Sequence, residues 1–196
     1  MSKKVLFLLI AVLTASYAQA QLSIGARAGL NLTNLIEGSD TEMFKPGFQI
    51  GAVLNGARND VFSVEAGFLF SQMGMQVKED GYSFILTLNY FEVPLNAKFR
   101  FNDFFVQAGP YAGFGLRVRE SLKDDGKKQS ESYSFEDFGF KNADYGIGAG
   151  VGYQFGPVQT SLNAKISAVS ILNDSTLKGL RNFGVALTAT YYFNLF

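Results

Sequence analysis

Apolar and polar residues alternate one for one over most of this chain. From residue 22 to 32 every even position is apolar (Leu22, Ile24, Ala26, Ala28, Leu30, Leu32) and every odd one is small or polar (Ser23, Gly25, Arg27, Gly29, Asn31). A period of two is the signature of a strand with two unlike faces. The same alternation predicts strands over 48–54, 62–70, 91–101, 104–118, 145–155, 158–168 and 183–193. That makes eight strands, an even number, with no helical period between them.

The connections alternate too. Short turns rich in Gly, Asn, Asp and Pro join the second and third segments (56–60), the fourth and fifth (Asn102-Asp103) and the sixth and seventh (Gly156-Pro157). The remaining joins, 33–45, 72–90, 119–143 and 170–182, are long and hold most of the charge, for example Lys123, Asp124, Lys127, Glu131 and Glu136. Short turns at one rim and long polar loops at the other predict an all-β fold, an eight-stranded antiparallel transmembrane β-barrel of up-and-down topology. The competing architecture is a secreted barrel whose apolar stripe lines a pocket. Against it, the polar stripe is mostly Gly, Ser, Asn and Gln, too poor in charge for a water-facing surface. Placed inward it suits a narrow lumen that side chains must fill. Phe62, Phe99, Phe101, Phe104, Phe105, Tyr153, Phe155, Tyr191, Tyr192, Phe193 and Phe196 gather near the short turns or the C-terminus, the expected level of an interfacial aromatic girdle.

Composition removes many chemistries. The 196 residues include no Cys, His or Trp, so a thiol nucleophile, a disulfide, a Ser-His-Asp triad and an HExxH zinc site are excluded. Balanced charge, with seventeen basic and seventeen acidic residues, argues against nucleic acid as a partner. Lys3-Lys4, the apolar run 5–15 and Ala18-Gln19-Ala20 follow the grammar of a secretory signal peptide, and eleven positions fall short of the roughly 20 needed to cross hydrocarbon. The expected division is therefore a signal peptide at 1–20 and an outer-membrane barrel domain at 21–196. Without the leader, fifteen basic residues face seventeen acidic ones, a net charge of −2.

The segments 24–35 (IGARAGLNLTNL), 68–75 (FLFSQMGM), 88–101 (LNYFEVPLNAKFRF), 107–115 (QAGPYAGFG) and 144–156 (DYGIGAGVGYQFG) resemble the PorT-like family of small outer-membrane β-barrel proteins, in order along nearly the whole mature chain. The resemblance implies an outer-membrane location and an eight-stranded barrel, and no single shared activity. The ending Tyr191-Tyr192-Phe193…Phe196 is similar to the aromatic signal read by barrel-assembly machinery, with Phe193 and Phe196 both in place for it.

Several features invite chemical readings. Gly146, Gly148, Gly150 and Gly152 recur every second residue, unlike a dinucleotide-binding GxGxxG, and read as a glycine stripe on the inner wall. Arg27, Glu65, Glu92, Lys98, Arg100, Arg117 and Lys165 fall on the inward stripe and read as a paired plug rather than an ion path. Gly109, Gly113 and Gly115, across the barrel, are expected to make room for Arg27. Asp124-Asp125-Gly126 and Glu136-Asp137 lack calcium-loop spacing and read as solvated loop charge. Asn31-Leu32-Thr33 and Asn173-Asp174-Ser175 match the glycosylation tripeptide, to which we attach no weight. Pro94 and Pro110 predict a bulge or a missing ladder bond. The switch in apolar parity between Leu86-Leu88-Tyr90 and Phe91-Val93 predicts a strand irregularity before Pro94.

No residue is nominated as catalytic, cofactor-binding or metal-ligating, and no cofactor is expected. The expected partners are outer-membrane lipid, the assembly machinery during insertion, and a protein docking on loop 119–143 through Tyr133, Phe135, Phe138 and Phe140. The expected function is a plugged barrel acting as a structural, interaction or secretion-accessory component. A narrow porin-like channel for small solutes is the alternative.

Overall fold

A computed structural model describes residues 21–36, 43–57, 59–79, 82–124, 127–173 and 179–194. Its strands are β1 (Gln21–Ile36), β2 (Met43–Ala57), β3 (Phe62–Glu79), β4 (Tyr82–Phe101), β5 (Phe104–Asp124), β6 (Lys127–Tyr133), β7 (Ala143–Phe155), β8 (Val158–Ser167) and β9 (Arg181–Asn194). Eight of them close a ring in the order β4-β3-β2-β1-β9-β8-β7-β5, with β5 returning to β4 and every pairing antiparallel. Closure satisfies the backbone of each strand in lipid without leaving a sheet edge. The eight-stranded ring matches the sequence expectation. The ninth strand, β6, does not: it lies inside the stretch read as a loop, and pairs with the upper half of β5 from Val118↔Tyr133 to Asp124↔Lys127. The proposed signal peptide, Asp125-Gly126, Asp174-Ser175 and Phe196 lie outside the described residues.

The faces divide as the alternation predicts. Leu30, Ile50, Phe68, Leu95, Val106, Ile147, Leu162 and Leu187 are exposed on the outer wall, while Arg27, Gln49, Glu65, Glu92, Lys98, Gln107, Ser161 and Thr188 are buried within. Near the short turns, Phe101, Phe104, Phe155, Tyr191 and Phe193 face outward. Phe62 packs at a tilt against Phe99, and Phe104 edge-to-face against Tyr153, across neighbouring strands. Two members of the predicted girdle turn the other way: Phe105 and Tyr192 are buried in the lumen. At the tight turns Asn102 (φ 56°) and Gly156 (φ 57°) take the left-handed conformation that Asn and Gly tolerate best.

Both prolines sit at gaps in the ladder. Pairing of β3 with β4 stops after Ala66↔Leu95 and resumes at Leu69↔Glu92, skipping Pro94. Pairing of β4 with β5 stops at Pro94↔Tyr111 and resumes at Ala97↔Ala108, skipping Pro110. The register is the same on either side, so each proline costs ladder bonds and produces no bulge.

The parity switch has a different cause from the one expected. Along β4 the even positions point inward without interruption, from Leu86, Leu88 and Tyr90 to Glu92 and Lys98. What changes is the chemistry of the inside, polar at membrane depth and apolar above it. The irregularity belongs to β5, where Asn89↔Arg117 follows Tyr90↔Gly115 and Leu116 is the extra residue. Beyond this bulge β5 turns over: Val118 is buried and Arg117 is exposed, so Arg117 is not a lumen charge. Because β4 and β5 run for 20 and 21 residues, about twice the 9–11 that span a bilayer, their upper halves rise with β6 and the end of β3 as a wall above the membrane.

Candidate functional site in the barrel lumen

The lower lumen, near the short turns, is built around one carboxylate. Glu65 of β3, 1 % exposed, accepts from Arg27 Nη2 at 2.7 Å and from Lys98 Nζ at 2.5 Å, and Tyr192 donates its hydroxyl to the same group. Arg27 also donates from Nε to Thr190 at 2.8 Å, and Lys98 to Gln159 at 3.0 Å. The Lys98 ammonium lies 5.1 Å from the Phe105 ring centre and 5.7 Å from that of Tyr192, within cation–π range. Arg100 joins the same network through Gln154. Seven strands thus converge on an arrangement with more positive than negative charge, the shortfall made up by aromatic faces and neutral acceptors.

The upper lumen is evenly balanced, with the carboxylates Glu92 and Asp144 against Lys165 and the buried Lys45 of β2, which share one register row through Gly184 and Thr33. Lys165 of β8 pairs with Glu92 of β4 and lies 5.4 Å from the Tyr111 ring centre. Asp144, at the start of β7, accepts from Ser167 Oγ at 2.6 Å, Asn182 Nδ2 at 3.0 Å and Tyr111 at 3.3 Å. Hydroxyl and amide donors hold this carboxylate, as buried polar groups require. Between the two clusters lies a cavity of about 60 Å³ lined by Arg27, Gln49, Glu92, Gln107, Asn163 and Lys165 among others. That is the scale of a few water molecules. Gln107 donates to Asn163, and its Oε1 has no protein partner among the described residues.

Above Asp144 the polar lining ends. Phe135 and Phe140 from the 134–142 segment fold back into the mouth and pack with Leu35, Met73, Leu88, Tyr90, Val118 and Ile171. The Phe135 ring centre is 5.0 Å from that of Tyr90. Backbone bonds fix the segment: Gly115 N donates to Asn142 O at 2.8 Å, and Lys141 N to Ile171 O at 2.7 Å. The result is an aromatic lid over a polar lumen.

Of the seven inward charges predicted, six line the lumen or its lower mouth, and Arg117 does not. The glycine stripe lies on the inner wall as expected, and its purpose is specific: a Cβ at Gly152 would run into the Phe105 ring, and one at Gly150 into the Asn163 amide. Arg27 does turn into the lumen, where Gly109 shares its cavity. Gly113 and Gly115 serve other side chains, lying against Tyr90 and Phe135. The loop aromatics expected as exposed anchors are mostly internal: Phe135 is 2 % and Phe140 6 % exposed. Asp144 and Asn182 escape a reading of the sequence because a polar position just before a glycine stripe and one just before the alternation of the last strand look like loop ends. Among the described residues no cluster of carboxylates suits a metal ion.

Residues 17–177 match the family model of the outer membrane protein beta-barrel domain. The chain belongs to that family, and its place is the outer membrane. Solved structures similar to this family member include Ail of Yersinia pestis bound to the heparin analogue sucrose octasulfate (17 % identity, 89 % of this chain and 99 % of that one, TM-score 0.46). CarO of Acinetobacter baumannii (13 %, 86 % and 97 %, TM-score 0.49) and Neisserial surface protein A (14 %, 88 % and 97 %, TM-score 0.46) are others. No curated protein matches the chain.

Proposed function

We propose that this barrel is a plugged, non-catalytic outer-membrane component of the PorT-like kind, serving as a structural, interaction or secretion-accessory protein through its extracellular face. The observation that carries the proposal is the stacking of two buried ion clusters beneath an aromatic lid, with a cavity of about 60 Å³ between them. An eight-stranded lumen filled in this way leaves no continuous aqueous path. With Phe135 and Phe140 committed to the lid, the surface left for a protein partner is the ribbon of β5 and β6, not the loop aromatics. The same proposal includes export by a signal peptide at 1–20 and insertion by assembly machinery reading the C-terminal aromatics.

Planar-bilayer recording from the purified mature protein tests the plug. Silence is expected, and steady ohmic steps would replace this reading with the narrow channel, which the polar cavity alone favours. Sequencing the mature N-terminus checks the leader, and should return Gln21 first.

A further inference from the structure

Carboxylates on the wall above the membrane are confined to one of its two faces. In an antiparallel pair, residues directly opposite share a face. One register row runs Lys78↔Ser83↔Lys123, and two more on the same side hold Thr87↔Arg119↔Ser132 and Asn89↔Arg117. The intervening row is Gln76↔Ile85↔Ser121↔Ser130. On the other side run Glu79↔Tyr82↔Asp124↔Lys127 and Met75↔Leu86↔Glu120↔Glu131, four carboxylates with one lysine. Among the described residues of the wall, the outer face carries basic groups and no carboxylate, while Glu79, Glu120, Asp124 and Glu131 share the face toward the lid. Lys78, Arg117, Arg119 and Lys123 are all exposed, and none forms an ion pair among the described residues.

The position of this face selects its partner. It continues the outer wall directly: on β5 the exposed Phe114 and Leu116 give way to Arg117 at the bulge, and on β4 the exposed Phe91 lies two positions below Asn89. Leaving the hydrocarbon along these strands, the outer face first meets the headgroup layer, within roughly 5–8 Å of the core boundary. Arg117 and Arg119 stand at that depth. Lys78 and Lys123 share one row, two pleat repeats above Arg119 and three above Arg117, where the sugar portion of an outer-leaflet glycolipid would be.

We propose that the outer face of the β3–β6 wall is a binding surface for phosphorylated glycolipid headgroups of the outer leaflet, with Arg117 and Arg119 gripping phosphate at the membrane surface and Lys78 and Lys123 extending the grip upward. Arginine suits the lower positions because its planar fork pairs two phosphate oxygens at once. The proposal stands apart from the plug and holds whether or not the lumen conducts.

The test uses the full mature barrel in nanodiscs of zwitterionic phospholipid, titrated with a bisphosphorylated glycolipid and, separately, with its dephosphorylated form. Binding is read by native mass spectrometry of the discs. The wild type should take up the phosphorylated lipid selectively, less so as salt rises. Arg117→Gln with Arg119→Gln should weaken uptake about 25-fold, at about five-fold per basic residue near an anionic surface. Lys127→Gln with Lys141→Gln, basic residues off this face, should leave it unchanged. Equal uptake of the two lipids by the wild type overturns the proposal, and that arm needs no variant to fold. So does an undiminished affinity in the arginine double variant, or an equal loss in the control. Binding of a soluble polyanion to this face in discs that fail to take up the phosphorylated lipid would assign the surface to a polymer instead.

Discussion

Replacing Glu65 by Gln removes one charge and almost no volume, yet among the described residues it removes the only carboxylate paired with two buried cations. Arg27 and Lys98, 5 % and 3 % exposed, both bond to it, at 2.7 and 2.5 Å. With an effective dielectric constant near 20, each contact is worth about 4 kcal/mol of gross attraction. Desolvation of three ions offsets most of that sum, so the intact cluster is close to neutral for stability. The variant keeps the desolvation and loses the attraction, and it leaves Arg27 and Lys98 repelling each other. The expected cost is about 3–5 kcal/mol, the usual penalty for stripping one partner from a buried pair. Reversible urea unfolding in detergent micelles or fluid liposomes, followed by tyrosine fluorescence and gel mobility, measures it. Adding Lys98→Met to Glu65→Gln should restore a large part of the loss, because the uncompensated charge is then gone. A cost under about 1 kcal/mol would refute the reasoning: the cluster would be hydrated in solution, and the lower lumen would be wet rather than packed.

Glycine contacts give a second prediction, with its own control. Gly109→Ala places a Cβ against the Leu95 carbonyl oxygen and should prevent formation of the heat-modifiable barrel, whereas at Gly148 the nearest atom is 3.3 Å from a Cβ and Gly148→Ala should fold normally. At the lid, Phe135→Ala removes a buried ring from against Tyr90, with an expected cost of about 3–5 kcal/mol confined to the mouth. Limited proteolysis should then cut within residues 134–142 while the barrel remains intact; resistance equal to wild type would show that the lid does not depend on that ring. Lys165→Met leaves Glu92 buried without its cation and should destabilise by a similar amount, with recovery when Glu92→Leu is added, checked by the same urea titration.

The membrane-spanning part was legible because lipid on one side and a polar lumen on the other impose the period of two on every strand. Legibility failed where that environment changes. Leu86, Leu88 and Tyr90 keep the inward parity of Glu92 but face a lid instead of a polar lumen, so a constant geometry looked like a broken one. The opposite error occurred on β5, where Phe114, Leu116 and Val118 form an unbroken apolar series across a real bulge. The apolar run hid the reversal because lipid and lid both reward apolar side chains, and Arg117 was placed inside as a result. Phe105 and Tyr192 were missed for a related reason: an aromatic near a strand end serves equally as an interfacial anchor or as a wall beside a buried ammonium, and the choice depends on Lys98, which arrives from a different strand. Likewise, Phe135 and Phe140 among loop charges carry no mark of burial until Gly115 and Tyr90 are known to lie beneath them.

The junction at Leu116 and Arg117 also acts as a depth mark. Sinking the barrel by one residue would carry Arg117 toward hydrocarbon, where a lipid-facing arginine costs up to roughly 2–4 kcal/mol at mid-plane and less near the surface. Raising it by the same step would lift Leu116 and Phe114 out of oil. Both displacements are resisted, because on β5 the boundary passes from Leu116 to Arg117 within one residue. A bilayer next to that wall is favoured at the thickness that puts its surface between Leu116 and Arg117, and a thinner or thicker one costs fractions of a kcal/mol per Å.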